Sequence, residues 1–149
     1  MTTTLRQWPA NGQKTLLALP AGSADSALIA ALPDCGQPVL ILTASAQDAQ
    51  RLKAELPFFR PAWRIALLPD WETLPYDHFS PHSDLVSERL ATLWQIRNGE
   101  CDVVIAPLTT AITRLAPMSF LLGRTFWLKL KQRLDVDRLR ADMVTAGYQ

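Results

Sequence analysis

The stretch Leu19-Pro20-Ala21-Gly22-Ser23-Ala24-Asp25-Ser26 follows an apolar run and leads into a helical pattern, the place where a phosphate-binding loop of the form G-x-x-x-x-G-K-[ST] would stand. In such a loop the glycines let backbone N–H groups approach phosphate oxygens, the lysine neutralises the β/γ charge, and the hydroxyl holds Mg²⁺. Here Leu19 and Ala24 stand where the two glycines belong, and Asp25 stands where the lysine belongs. Only the middle Gly22-Ser23 and the hydroxyl of Ser26 are retained. A carboxylate a few ångströms from a polyphosphate exchanges attraction for repulsion on the order of several kcal/mol. The expectation is that the loop binds no ATP. Two readings of it stand: a decayed phosphate site, or a plain Gly-Ser turn.

A second set of chemistry-bearing residues lies in LPDWETLPYDHFSPHSDLVSERL, Leu68 to Leu90. His78 and His82 have the i, i+4 spacing that suits zinc on a helix, but Pro81 between them lacks the N–H of a helix interior, so turn and capping roles are the alternative. Asp70, Glu72 and Asp77 offer carboxylates without a nucleophile nearby, and loop carboxylates commonly accept from backbone N–H groups. Trp71, Tyr76 and Phe79 supply large apolar faces, while Pro69, Pro75 and Pro81 fix φ; Pro81 can serve as a first-turn residue behind Ser80. A rigid, aromatic-anchored entry into a helix is expected, with Trp71 and Tyr76 packed against the sheet edge and that helix. No catalytic residue, metal ligand or cofactor is assigned. A third set, Arg124, Lys129, Lys131, Arg133, Arg138 and Arg140, is either a solvated surface or a docking face for an acidic partner.

The elements that position these residues alternate in type, the signal for βαβ units and a parallel sheet with flanking helices. Strands are expected at Thr15 to Leu19, Val39 to Thr43, Arg64 to Leu68 and Asp102 to Ala106. Helices are expected from Ala24 to Leu32 before Pro33, and from a capping-box-like Ser45/Asp48 start to Pro57. A third runs from about Ser83 to Arg97, with Val86, Leu90, Leu93 and Trp94 on one face and Asn98-Gly99 as its stop. A short helix, Thr109 to Leu115, follows the last of those strands. Pro117 to Gly123 reads as a boundary, giving an α/β domain over 1–118 and, over 119–149, one strand (Thr125 to Leu130) and one helix (Val136 to Ala146), the start of a small α+β subdomain.

With 149 residues, 48% hydrophobic and 19% charged, the chain has material for one sizeable core. Fifteen Lys+Arg against fourteen Asp+Glu leave a net charge of +1, without the strong positive field of a dedicated nucleic-acid-binding domain. No leader-like or membrane-spanning run is seen, so a cytoplasmic setting without membrane is expected. Cys35 and Cys101 are far apart and in no C-x-x-C pattern, which reads as two reduced thiols.

The strings LPDWETLPYD, FSPH, SERL and VVIAPLTTAITRL, with FLLG, QRL and AGY further on, resemble the N-terminal module of bacterial transcription-repair coupling factors (Mfd), the module similar to the excision-repair helicase UvrB. The resemblance implies a degenerate helicase-like α/β domain with Asp70, Trp71, Glu72, Tyr76, Asp77 and Phe79 as its structural signature. It further implies a non-catalytic scaffold for UvrA recruitment in transcription-coupled nucleotide excision repair, or for docking on its own motor. The full-length family resembles ATP-dependent DNA translocases that displace stalled RNA polymerase, with motor motifs outside this chain. Arg124, Lys129, Lys131 and Arg133 become candidate contacts to UvrA, with residues beyond 149 needed for the full surface. The stretch from Tyr76 to Asp84 leaves no room for the DNA-gripping hairpin of UvrB. The alternative is a nucleotide-binding, helicase-type enzyme domain that uses ATP despite the altered loop.

Overall fold

The computed structural model describes residues 12–17, 22–34, 36–71, 73, 78, 80–115, 117, 119, 128 and 130–145. The chain forms two compact units, Met1–Ala111 and Ile112–Gln149. The first is built on three parallel strands, β1 (Val39–Thr43), β2 (Ile65–Leu67) and β3 (Val103–Pro107), in spatial order β1-β3-β2. Val39 registers with Val103 on one side of β3 and Ile65 with Val103 on the other, so β3 is central and all five of its residues are buried.

Helices α1 (Ala24–Ala30) and α2 (Ala46–Phe59) cover one face; α3 (Ser83–Arg97) covers the other. The division follows from strand alternation. Ala49, Leu52 and Leu56, one stripe of α2, close on Leu67, Val103 and Ile105, with Ile29, Ala30, Val39, Ile41, Trp63 and Ile65 around them. On the opposite face, Ala66, Val104 and Cys101 meet Ile96 of α3. A short α4 (Leu108–Ala111) leaves β3 at its carboxyl end.

Local chemistry sets the helix ends. The Ser45 hydroxyl accepts from the Asp48 N–H at 3.1 Å and donates to Asp48 Oδ2 at 2.7 Å, fixing the start of α2. At the end of α3, Glu100 N–H donates to the Gln95 carbonyl (2.9 Å) and Gly99 N–H to that of Ile96 (3.3 Å), a Schellman closure that needs the left-handed backbone of Gly99, φ +66°.

Four expectations are corrected. Thr15 to Leu17 form no strand: Leu16 is 100% exposed, and Ala18 and Leu19 lie outside the described residues. An apolar run becomes a strand only when a neighbour accepts its backbone bonds, and none of the described strands does so here. Pro57 does not end α2, which continues to Phe59. It sits in the last turn, where its missing N–H forfeits one bond, and the Arg60 N–H still closes on the Leu56 carbonyl at 2.9 Å. Pro81 stands outside α3, whose cap is His82, the Nδ1 accepting from the Asp84 N–H at 3.3 Å. The helix after β3 stops at Ala111 rather than Leu115.

In the second unit, α5 (Val136–Thr145) starts behind Asp135, whose Oδ1 accepts from the Arg138 N–H at 3.0 Å. None of its residues is buried. Of the expected strand Thr125 to Leu130, residues 125–127 and 129 lie outside the described residues, while Leu128 is in no strand and Leu130 lies in a turn. Among the described residues no helix is long and apolar enough to cross a membrane.

Candidate functional site

Where a phosphate loop would carry its lysine, Asp25 is held by a cation from the chain itself. Arg51 of α2 donates from Nη2 to Asp25 Oδ2 at 2.7 Å and from Nη1 to Oδ1 at 3.2 Å, a forked pairing that matches guanidinium to carboxylate. The same Nη1 reaches Glu55 Oε2 at 3.0 Å, one helical turn further along α2. Ser26, fully buried, donates its hydroxyl to that Glu55 oxygen at 2.6 Å, and its N–H donates to Asp25 Oδ1 at 2.7 Å. The Arg51 bond holds the Asp25 carboxyl below its usual range, against the opposing effect of burial. Ala24 opens α1 directly behind Gly22-Ser23, and Gly22 has φ +64°. Chemically the cluster is closed. Two carboxylates face one guanidinium, so its net charge is negative, and the hydroxyl that would hold Mg²⁺ is committed to Glu55.

A second cluster sits at the carboxyl ends of β2 and β3, where ligands of open parallel sheets gather. Asp70, three residues past β2, accepts from the hydroxyls of Thr109 (2.8 Å) and Thr110 (3.1 Å) on α4 and from the N–H of Trp71 (2.9 Å). Burial raises the Asp70 carboxyl, but these donors and the nearby Arg89 outweigh it and leave it below the usual range. Arg89 of α3 is only 2% exposed. It donates to the Pro69 carbonyl and lays its guanidinium 4.1 Å from the centre of the Trp71 ring. Thr92, one turn on, donates to the Leu67 carbonyl at 3.0 Å. Among the described residues no buried side-chain nitrogen or oxygen lacks a hydrogen-bond partner, and the bonds of this knot tie β2, α3 and α4 together.

Asp25 and Ser26 thus meet, as do Asp70 and Trp71, each pair within its own cluster. Leu19, Glu72, Tyr76, Asp77, Phe79, Arg124 and Lys129 lie outside the described residues. Lys131 and Arg133 are exposed in the second unit, Lys131 with φ +65° in a turn. Among the described residues no group of three His, Cys, Asp or Glu is placed to hold a metal. Sequence reasoning missed Arg51, Glu55, Arg89, Thr92, Thr109 and Thr110. The Arg51/Glu55 spacing was the one available signal, as an i, i+4 pair. At the opposite end of the sheet a cavity of about 490 Å³ is lined by Arg60, Trp63, Arg64, Cys101 and Asp102 among others. Its charges are also paired: Arg60 with Asp34 at 2.6 Å and Arg64 with Asp102 at 2.8 Å.

Fold and site together define a parallel α/β unit in which the residues at the start of α1 are tied to α2 by the chain's own ion pairs. In sequence, the chain is homologous to a stretch of transcription-repair-coupling factors. It is 40% identical to that of Escherichia coli over 139 residues, 93% of this chain and 12% of that protein. Against the Haemophilus influenzae protein it is 36% identical over 107 residues (72% and 9%), and against that of Bacillus subtilis 24% over 138 residues (92% and 12%). The chain therefore spans only 9–12% of the length of these curated relatives. No family model matches it.

Proposed function

We propose that the chain is a non-catalytic protein-interaction module of a transcription-repair coupling factor, equivalent to the N-terminal, UvrB-like module of that family. In this reading 1–118 is a degenerate helicase-like domain and 119–149 opens a UvrA-docking subdomain. The module recruits UvrA, or docks on the motor of its own longer protein, in the cytoplasm. ATP hydrolysis, DNA translocation and displacement of RNA polymerase are functions of other parts of that protein.

One observation carries the non-catalytic reading: Asp25 and Glu55 neutralise Arg51, and Glu55 takes the Ser26 hydroxyl. An incoming phosphate would have to displace a carboxylate from a forked arginine pair and enter a net negative cluster. Thermal unfolding with and without Mg-ATP tests this. A ligand at 100 times its dissociation constant adds about 2.7 kcal/mol of stability. The expected result is no shift in midpoint; a clear upward shift would establish the nucleotide-binding alternative. Binding of purified UvrA to this chain, and to a longer one extending past residue 149, tests the partner. The longer chain is expected to bind and this one more weakly.

A further inference from the structure

Of the two ion pairs lining the cavity at the amino ends of the strands, one is locked and the other is loose. Asp102 accepts from the Arg64 backbone N–H, Nε and Nη2 at 2.8–3.0 Å, and its own N–H donates to the Arg64 carbonyl at 2.8 Å. Asp34 accepts from Arg60 Nη2 alone among the described residues, at 2.6 Å, and its side chain is 79% exposed. Water and salt compete with each partner of so exposed a pair, and it contributes little.

Arg60 itself is firmly held. Its Nη1 donates to the carbonyls of Ala30 (3.2 Å) and Leu32 (2.6 Å), and its guanidinium lies 4.4 Å from the centre of the Trp63 ring. Its side chain is only 24% exposed. Because both carbonyls and the ring are neutral, a largely buried cation is fixed in place with one detachable counter-charge. Around it the lining is mostly apolar, with Pro33, Pro38, Val39, Ala62 and Trp63. At about 490 Å³ the cavity has the size of sites that enclose whole ligands. A lone anion would leave those apolar walls uncovered, whereas a carboxylate carried on an apolar chain covers them. Two residues before Arg60, Phe58 is 83% exposed and meets Phe59 edge-on at 5.1 Å. Aromatic residues and arginine together are the composition that carries binding energy at protein interfaces.

We propose that this cavity is a docking site for an acidic segment of a partner protein. An Asp or Glu of that segment takes the place of Asp34 on the Arg60 guanidinium, and neighbouring apolar side chains fill the space against Pro33, Pro38 and Trp63. Asp34 is a placeholder that leaves for solvent at little cost. The incoming carboxylate meets a cation already oriented and largely desolvated, so the side-chain ordering that weakens exposed pairs is complete on one side before binding. The site belongs to the first unit and does not depend on the docking role proposed for 119–149.

Selection of random short peptides displayed on phage against the whole chain tests this, followed by titration of the enriched peptides. Expected are peptides that share an Asp or Glu beside apolar residues and that shift the Trp63 indole resonance. Replacing that carboxylate by its amide should weaken them about tenfold or more. The Asp34→Asn chain is expected to bind them about two- to fivefold more tightly, the factor by which an exposed ion pair competes. Arg60→Lys should bind them severalfold more weakly, since an ammonium lacks the planar fork. Thermal unfolding reports whether each variant is folded, and the exposed position of Asp34 keeps its variant decisive where Arg60→Lys fails to fold. Enriched peptides without a shared carboxylate, or no enriched peptide at all, would overturn the proposal. So would equal affinities of acid and amide peptides, an unmoved Trp63 indole, or Asp34→Asn binding no more tightly than the unaltered chain.

Discussion

Arg89 holds the aromatic segment to the sheet. Its guanidinium is almost fully buried, donates to the Pro69 carbonyl and covers the Trp71 ring, with Asp70 beside it. Arg89→Ala leaves that carbonyl unpaired and a carboxylate uncompensated, and is expected to cost about 3 kcal/mol or more in urea unfolding. Arg89→Lys should recover little, since a point charge lacks the planar fork that spans carbonyl and ring. Trp71 is half-buried, so Trp71→Ala is expected to cost about 1–2 kcal/mol, from the cation–π contact and partial burial. A residue-level pH dependence is also expected. Arg64 donates to Asp102 from its backbone N–H, Nε and Nη2 at 2.8–3.0 Å, and holds that carboxyl at about 2. A carboxyl lowered on folding contributes stability that is complete above its unfolded value of 3.8 and is lost as pH falls through about 2. Asp102→Asn should therefore lower stability at neutral pH and flatten the fall below pH 3.8; an unchanged acid limb would remove this pair from the acid response.

At the scale of elements, the two long helices show where periodicity suffices. Ala49, Leu52 and Leu56 of α2 were readable as one face, and all three are buried in the structure. Leu56 is fully enclosed, so Leu56→Ala is expected to cost about 3 kcal/mol, measured by denaturant midpoint at constant slope. On α3 the same reasoning places Val86, Leu90, Leu93 and Trp94 inward, yet the buried residues are Arg89, Thr92 and Leu93. The reason is the end of β2: the carbonyls of Leu67 and Pro69 need donors, and Thr92 and Arg89 supply them. Hydropathy has no means of showing that a neighbouring strand ends under a helix. The same limit explains Thr15 to Leu17, apolar enough for a strand but without a described partner.

For the whole molecule, the proposed UvrA-docking role is tested by reversing charge at Lys129, Lys131 and Arg133 in the longer protein. Association with UvrA is expected to slow with little change in thermal stability, because exposed charges act chiefly on encounter; unchanged kinetics would leave the cluster as a solvated surface. The order of strands and helices, three of four expected strands, the Ser45/Asp48 start and the Asn98-Gly99 stop were all legible in the sequence. Each depends on residues within a few positions of one another, where capping, turn and alternation rules operate. The spatial order β1-β3-β2, with β3 at the centre, and the two polar clusters were decided only in tertiary structure. Arg51 meets Asp25 across 26 positions, Arg89 meets Pro69 across 20, and Thr109 meets Asp70 across 39. Pairings at such separations depend on which faces the sheet brings together, and local propensity is blind to them.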